Sequence, residues 1–158
     1  MEWRSIASPQ AQDDVDKLFG DAIKFVAVEL AHADDFAPFM MVISLAGEIS
    51  VRRSAIATTP RDEVGVVRGL ELPGDGDQLR ARAAVLDVTA LVPVAGDAIK
   101  IKIEHAEGIA IDMLVPYRID SDGATINVQA ANAARAELLL WTPERISGSL
   151  VYGLIWKP

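Results

Sequence analysis

The chain has 158 residues, 51% of them apolar and none of them cysteine; that length suffices for one domain with a core of its own, and disulfides, thiolate nucleophiles and cysteine metal sites are excluded. A formal charge of −8 with a pI of about 4.7 repels phosphate backbones and anionic lipid, so neither nucleic acid nor a membrane is an expected partner. The amino terminus lacks an apolar signal region and no stretch approaches the roughly 20 apolar residues that span a bilayer, which predicts a cytoplasmic protein.

Residues 1–8 carry no pattern and are expected to be flexible. Ser8 followed by Pro9 is a helix start: a hydroxyl that accepts an orphan N–H, then a residue whose fixed φ suits the first turn. Asp13, Asp14 and Asp16 crowd the end that the helix dipole makes favourable for negative charge. Val15, Leu18, Phe19, Ala22, Phe25, Val26 and Leu30 recur at three- and four-residue steps, predicting one long helix over Gln10 to Ala33. Ile23, Ala27 and Val28 widen its apolar face, as if a second subunit covered the side away from the core.

Phe39–Leu45 and Glu48–Arg53, joined through Ala46 and Gly47, read as a hairpin with Ile43, Leu45, Ile49 and Val51 inward and Glu48 and Arg52 in water. Residues 57–78 lack periodicity and hold Pro60, Gly65, Gly69, Pro73, Gly74 and Gly76, predicting a long loop with a short strand at Val64–Val67. A strand is expected over Ala84–Val92. Ile99, Ile101 and Ile103 then alternate with Lys100, Lys102 and Glu104, and after the turn His105–Gly108 the alternation resumes at Ile109, Ile111, Met113 and Val115. This is the pattern of an antiparallel pair with one dry and one wet face. A turn at Ser121–Gly123, a strand over Ala124–Val128, a helix over Ala130–Leu140 and a last strand over Gly148–Trp156 complete the reading. The segment 130–141 suits a strand almost as well as a helix.

The fold class expected is therefore α+β: a single domain over 1–158, its long amino-terminal helix packed on one face of a mainly antiparallel sheet of five to seven strands.

Candidate chemistry is sparse. Arg52 with Arg53, and Arg61, Arg68, Arg80 and Arg82, read as solvated faces. His32 suits the carboxyl end of the first helix, and His105 reads as a solvated turn residue beside Glu104 and Glu107. Residues 73–77 have the Gly and Asp content of a cation loop without the spacing of one, so neither a metal nor a cofactor is expected. Asp112 lies mid-strand on the face opposite the isoleucines, where Lys100 or Lys102 would stand across the hairpin; Asp87, on a neighbouring strand, would join it there. Trp141 and Trp156 suit core filling or interface anchoring.

Two functions fit this pattern. The first is a non-enzymatic binding or assembly module, a homodimer with a protein partner. The second is a small cofactor-free enzyme or small-ligand-binding protein with a pocket between helix and sheet that uses Asp112, Asp87 or His105.

Overall fold

In the computed structural model, residues 2–53, 62–90 and 96–143 are described. The chain begins with a short helix α1 (Trp3–Ile6) and the long helix α2 (Pro9–Leu30). Ser8 caps α2 as the sequence predicts, its hydroxyl accepting the Ala11 N–H at 3.1 Å. Strands β1 (Phe39–Ser44) and β2 (Ile49–Arg53) follow, then two short helices, α3 (Glu63–Gly69) and α4 (Asp75–Gln78). Three long strands, β3 (Leu79–Ala90), β4 (Gly96–His105) and β5 (Ile109–Asp120), make the body of the sheet. Two short strands, β6 (Gly123–Ile126) and β7 (Asn132–Arg135), finish it, separated by a 3-10 turn at Val128–Ala130. The order is β2-β1-β3-β4-β5-β6, every pairing is antiparallel, and β7 lies beside β5 as well.

The isoleucine row points the way its alternation requires. Ile99, Ile101, Ile103, Ile109, Ile111 and Val115 are buried in one cluster with Val15, Leu18, Ala22 and Val26 of α2, and Met113 packs against it. Each such side chain, once buried, contributes about 1.5–3 kcal/mol gross. The stripe of α2 and the residues of β1 bury against the same row, and the fold is organised on this hairpin. Gly108 closes its turn at φ 92, where a side chain would be disfavoured.

The opposite face is not wet. Met40, Val42, Val67, Leu70, Leu79, Ala84, Leu140 and Trp141 form a second buried cluster there, covered by α3 and by the segment that follows β7. Residues 62–78 are therefore not a continuous loop, and Val64–Val67 is helix instead of strand. Asp62 caps α3 by accepting the Gly65 N–H at 2.6 Å, and Val66, Val67 and Leu70 give it an apolar side to bury. Gly65, which read as a breaker, sits inside α3 without breaking it, and Gly69 is its last residue.

The helix expected over Ala130–Leu140 is likewise absent. Asn132–Arg135 pair with Ile111–Leu114 on the outer edge of β5, and the open ladder groups of that edge outweigh the helix propensity of alanine. In the first hairpin Ile43 is buried and Ile49 half-buried, but Leu45 is 63% and Val51 38% exposed. β1 ends at Ser44, whose N–H bonds the Glu48 carbonyl at 2.9 Å, so Leu45 falls in the turn. Arg52, expected in water, bonds Asp75 instead. The strand expected over Gly148–Trp156, residues 57–61 of the expected loop and the end of the strand at Val92 lie outside the described residues. No helix among the described residues is long and apolar enough to cross a membrane.

Candidate functional site

From Arg82 onward the even-numbered residues of β3, and those of β4 and β5, project onto the second face, and register decides which of them meet. Arg82 stands opposite Glu104, and Lys102 opposite Asp112. Arg82 is 1% exposed. It donates from Nε and Nη2 to Glu104 Oε2 at 3.2 and 3.0 Å and from Nη1 to Glu71 Oε1 at 2.7 Å. The other Glu104 oxygen accepts three successive backbone N–H groups, those of Leu139, Leu140 and Trp141, at 2.7, 2.8 and 3.0 Å. A buried carboxylate so held ties the end of the chain to the middle of the sheet. Trp141 adds a bond from Nε1 to the Gly76 carbonyl at 3.0 Å, which joins the same segment to α4.

Beside this buried group lies a second, wetter set of charges. Lys102 Nζ bonds both Asp112 oxygens at 2.9 and 3.0 Å, and Lys100 Nζ bonds both Glu63 oxygens at 2.9 and 2.8 Å. Lys100 also stands 3.8 Å from Asp112. The cross-strand pair expected for Asp112 is thus present, and with Arg135 and Glu137 it borders a concavity of about 510 Å3. A larger concavity of about 710 Å3 opens at the other end of this face, between the turn after β1 and residues 71–77, with Leu140 and Trp141 in its wall. Asp75, in its lining, is drawn upward by burial. The Arg52 bonds at 2.6 and 2.9 Å and the Leu72 N–H outweigh that and leave its carboxyl below the usual range.

The three carboxylate and imidazole candidates do not converge. Asp87 pairs in register with Ile99 and so lies on the α2 side of the sheet, not with Asp112. There it accepts the Tyr117 hydroxyl at 2.6 Å and the Phe36 N–H at 3.3 Å. Burial first, then the Asp87 bond and charge, hold the Tyr117 phenol well above its ordinary range. His105 is no solvated turn residue: as the last residue of β4 it is buried against α2. Its Nδ1 accepts the Glu107 N–H at 3.1 Å, which leaves the ring proton on Nε2 to be donated to Asp14 Oδ2 at 2.9 Å. Arg80 grips the same carboxylate through Nε and Nη2, both at 2.9 Å. Burial raises the Asp14 carboxyl, but Arg80 and then His105 together bring it below the ordinary value. Glu107 accepts both the hydroxyl and the N–H of Ser8, and the hydroxyl bond lowers its carboxyl.

Arg80 and Arg82 read as solvated, Glu104 as a neighbour of His105 and Asp14 as a helix-start charge, and none of the four as a member of a buried ion pair. Alternation does place Arg82 and Glu104 on one face, but two ionised residues in long strands read as solvated until something is known to cover them. Of the arginines read as solvated faces, Arg52, Arg80 and Arg82 are ion-paired within the fold, and Arg53 and Arg68 pair with Glu29 and Glu71 nearer the surface. Among the described residues no three histidine or carboxylate side chains gather as a metal site. No family model matches the chain, and no curated protein or solved structure matches it either.

Proposed function

We propose that this chain is a non-enzymatic binding module that takes a protein partner on the second face of its sheet and acts as a homodimer. One observation carries the partner reading. Two strongly exposed leucines, Leu45 at 63% and Leu72 at 56%, border the larger concavity, whose wall contains the buried Trp141. Exposed apolar residues gathered about a hollow are a usual mark of a contact surface. The acid and base groups point the same way: Asp14, Glu104 and Asp75 are each committed to an arginine, and Asp112 to a lysine. The homodimer rests on the outer side of α2, where Val28 is 63% exposed.

A photo-crosslinking residue placed at position 72 in the native host tests the partner reading, with position 28 as the comparison. A protein adduct of one defined mass from position 72 supports it. Absence of an adduct from position 72, whatever position 28 gives, overturns it. Sedimentation velocity tests the homodimer, which a plain monomer at micromolar concentration would rule out.

The second reading, a small-ligand site, is favoured by the concavity beside Asp112 and Lys102. A pocket between α2 and the sheet does not serve it, because Leu18, Ala22, Ile99 and Ile101 fill that interface at 0% exposure. A metabolite that raises the melting temperature of the wild type and not of Asp112→Ala would favour this reading over the first.

A further inference from the structure

Resting on the homodimer reading above, we infer that β2 is the dimer edge: two copies pair antiparallel about a two-fold axis at Val51, and their sheets run on as one. Among the described residues β2 is hydrogen-bonded on one side only, to β1. Ser44 donates its N–H to the Glu48 carbonyl at 2.9 Å, and Leu45 donates its own to the Gln78 carbonyl at 3.2 Å. Ser44 thus faces β2 and Leu45 faces β3. Carried back along the register of Val42 with Ser50 and Met40 with Arg52, antiparallel alternation gives the N–H and C=O groups of Ser50 and Arg52 to β1. Those of Ile49, Val51 and Arg53 point the other way and form an unfilled ladder. The strand has neither a proline nor a bulge, the usual guards of an edge.

Register and charge select a second copy as the occupant. With Val51 opposite its counterpart, Ile49 faces Arg53 and Ser50 faces Arg52, so all 5 residues of the strand overlap and no two arginines stand opposed. The outward residues of the two copies meet as hydrogen-bonded pairs, each exchanging both of its bonds. Neither arginine brings a loose charge into the contact, because Arg52 bonds Asp75 and Arg53 bonds Glu29. The edge is therefore locally neutral, and it offers a strongly charged foreign strand nothing to read. Arg53 also lies over the Phe25 ring at 4.9 Å, which brings α2 along the same margin. Val28, one turn on from Phe25 and next to Glu29, is 63% exposed on that flank and continues the contact, with Val51 38% exposed at its centre.

The test is sedimentation velocity of the intact chain over a range of concentrations, with amide hydrogen exchange of β2 read at each. The Ile49, Val51 and Arg53 amides should exchange fast in the dilute monomer and slow as the dimer forms. A formal charge of −8 opposes approach at long range, so association should tighten as salt is raised. Val51→Lys sets two ammonium groups opposite each other at the axis, and Val51→Pro removes an N–H that β1 does not use. Each should weaken the dimer about tenfold or more. The chain has no cysteine, so Val51→Cys adds a lone thiol. Facing Cα atoms of a hydrogen-bonded pair stand about 5.5 Å apart, a span that a disulfide closes. Under mild oxidant this variant should become a linked dimer, and Leu72→Cys, at a position 56% exposed, should not. A dimer that survives Val51→Lys and Val51→Pro, equal linking from both cysteine sites, or β2 amides no slower in the dimer overturns the inference and leaves the homodimer reading standing. Amides protected alike at every concentration would mean that the chain itself covers the edge, and would overturn the inference too. A plain monomer at micromolar concentration removes the homodimer reading and the inference with it.

Discussion

Asp14 of α2 accepts a hydrogen bond from Nε2 of His105, the last residue of β4, at 2.9 Å, and the same carboxylate is held by Arg80. Three elements thus meet on one ionised group that is 4% exposed. Asp14→Asn removes the charge and leaves a single acceptor oxygen beside an NH2 that faces donors of Arg80 and His105, and the expected loss is about 3 kcal/mol, the lower end for breaking a buried pair, because Arg80 is partly solvated. Urea unfolding measures it. Since the Asp14 carboxyl is held below its ordinary 3.8, the stability it supplies is complete above that pH and is lost as pH falls through the lower folded value. The variant should therefore show a shallower loss of stability than the wild type between pH 3.8 and more acid conditions. An identical acid profile for the two proteins would contradict this.

Glu104 should be the most sensitive charged position on the second face. Glu104→Ala removes the partner of a buried arginine and the acceptor of three N–H groups, a change expected to cost about 3–5 kcal/mol. Replacing a buried ion pair by apolar residues of similar volume is often neutral, yet Arg82→Met with Glu104→Met should not recover the wild-type stability here. The amides of Leu140 and Trp141 would still have lost the carboxylate that accepts them. Hydrogen exchange at those two amides should quicken in both variants.

Asp112 supplies the contrast. Its pair with Lys102 leaves the two side chains 25% and 17% exposed, and a cross-strand pair of this kind is worth about 0.2–1 kcal/mol. Asp112→Asn should lower the unfolding free energy by no more than that. A loss comparable to that of Glu104→Ala would show that the concavity beside Asp112 is part of the core.

Tyr117 should ionise late. Burial, and then the bond to Asp87, disfavour its phenolate, so the contribution of the neutral hydroxyl persists below pH 10.0 and is lost only as pH rises through the higher folded value. Absorbance titration should find one tyrosine ionising well above the ordinary range. Asp87→Asn should bring that step down, and Tyr117→Phe should abolish it.

What could be read from the residues was what one local period determines. The cap at Ser8, the stripe from Val15 to Leu30 and the isoleucines from 99 to 111 each repeat at the spacing of their own element, and each lies where that spacing puts it. What escaped depends on tertiary company. Ala133 and Ala134 favour helix in isolation and became strand because β5 offered an edge. His105 reads as exposed from its place in a turn, and only the arrival of α2 with Asp14 buries it. Asp87 and Asp112 were separated by register, since Asp87 lies opposite Ile99 and shares the face of the isoleucines. The concavity at Leu45 and Leu72 joins segments that are far apart in the chain, and no sequence window contains it.

The passage of residues 138–141 back over β4 toward Gly76 divides the molecule into two layers of unequal independence. The helix-covered layer closes through α2 and the central hairpin, whereas the other waits for a roof that is synthesised after every long strand. A nascent chain halted at Arg135 would already own its first core and α3, and would lack Leu140 and Trp141, the part of the second cluster that comes last. That half-clad form, sticky on one side and finished on the other, is the species a folding helper would meet.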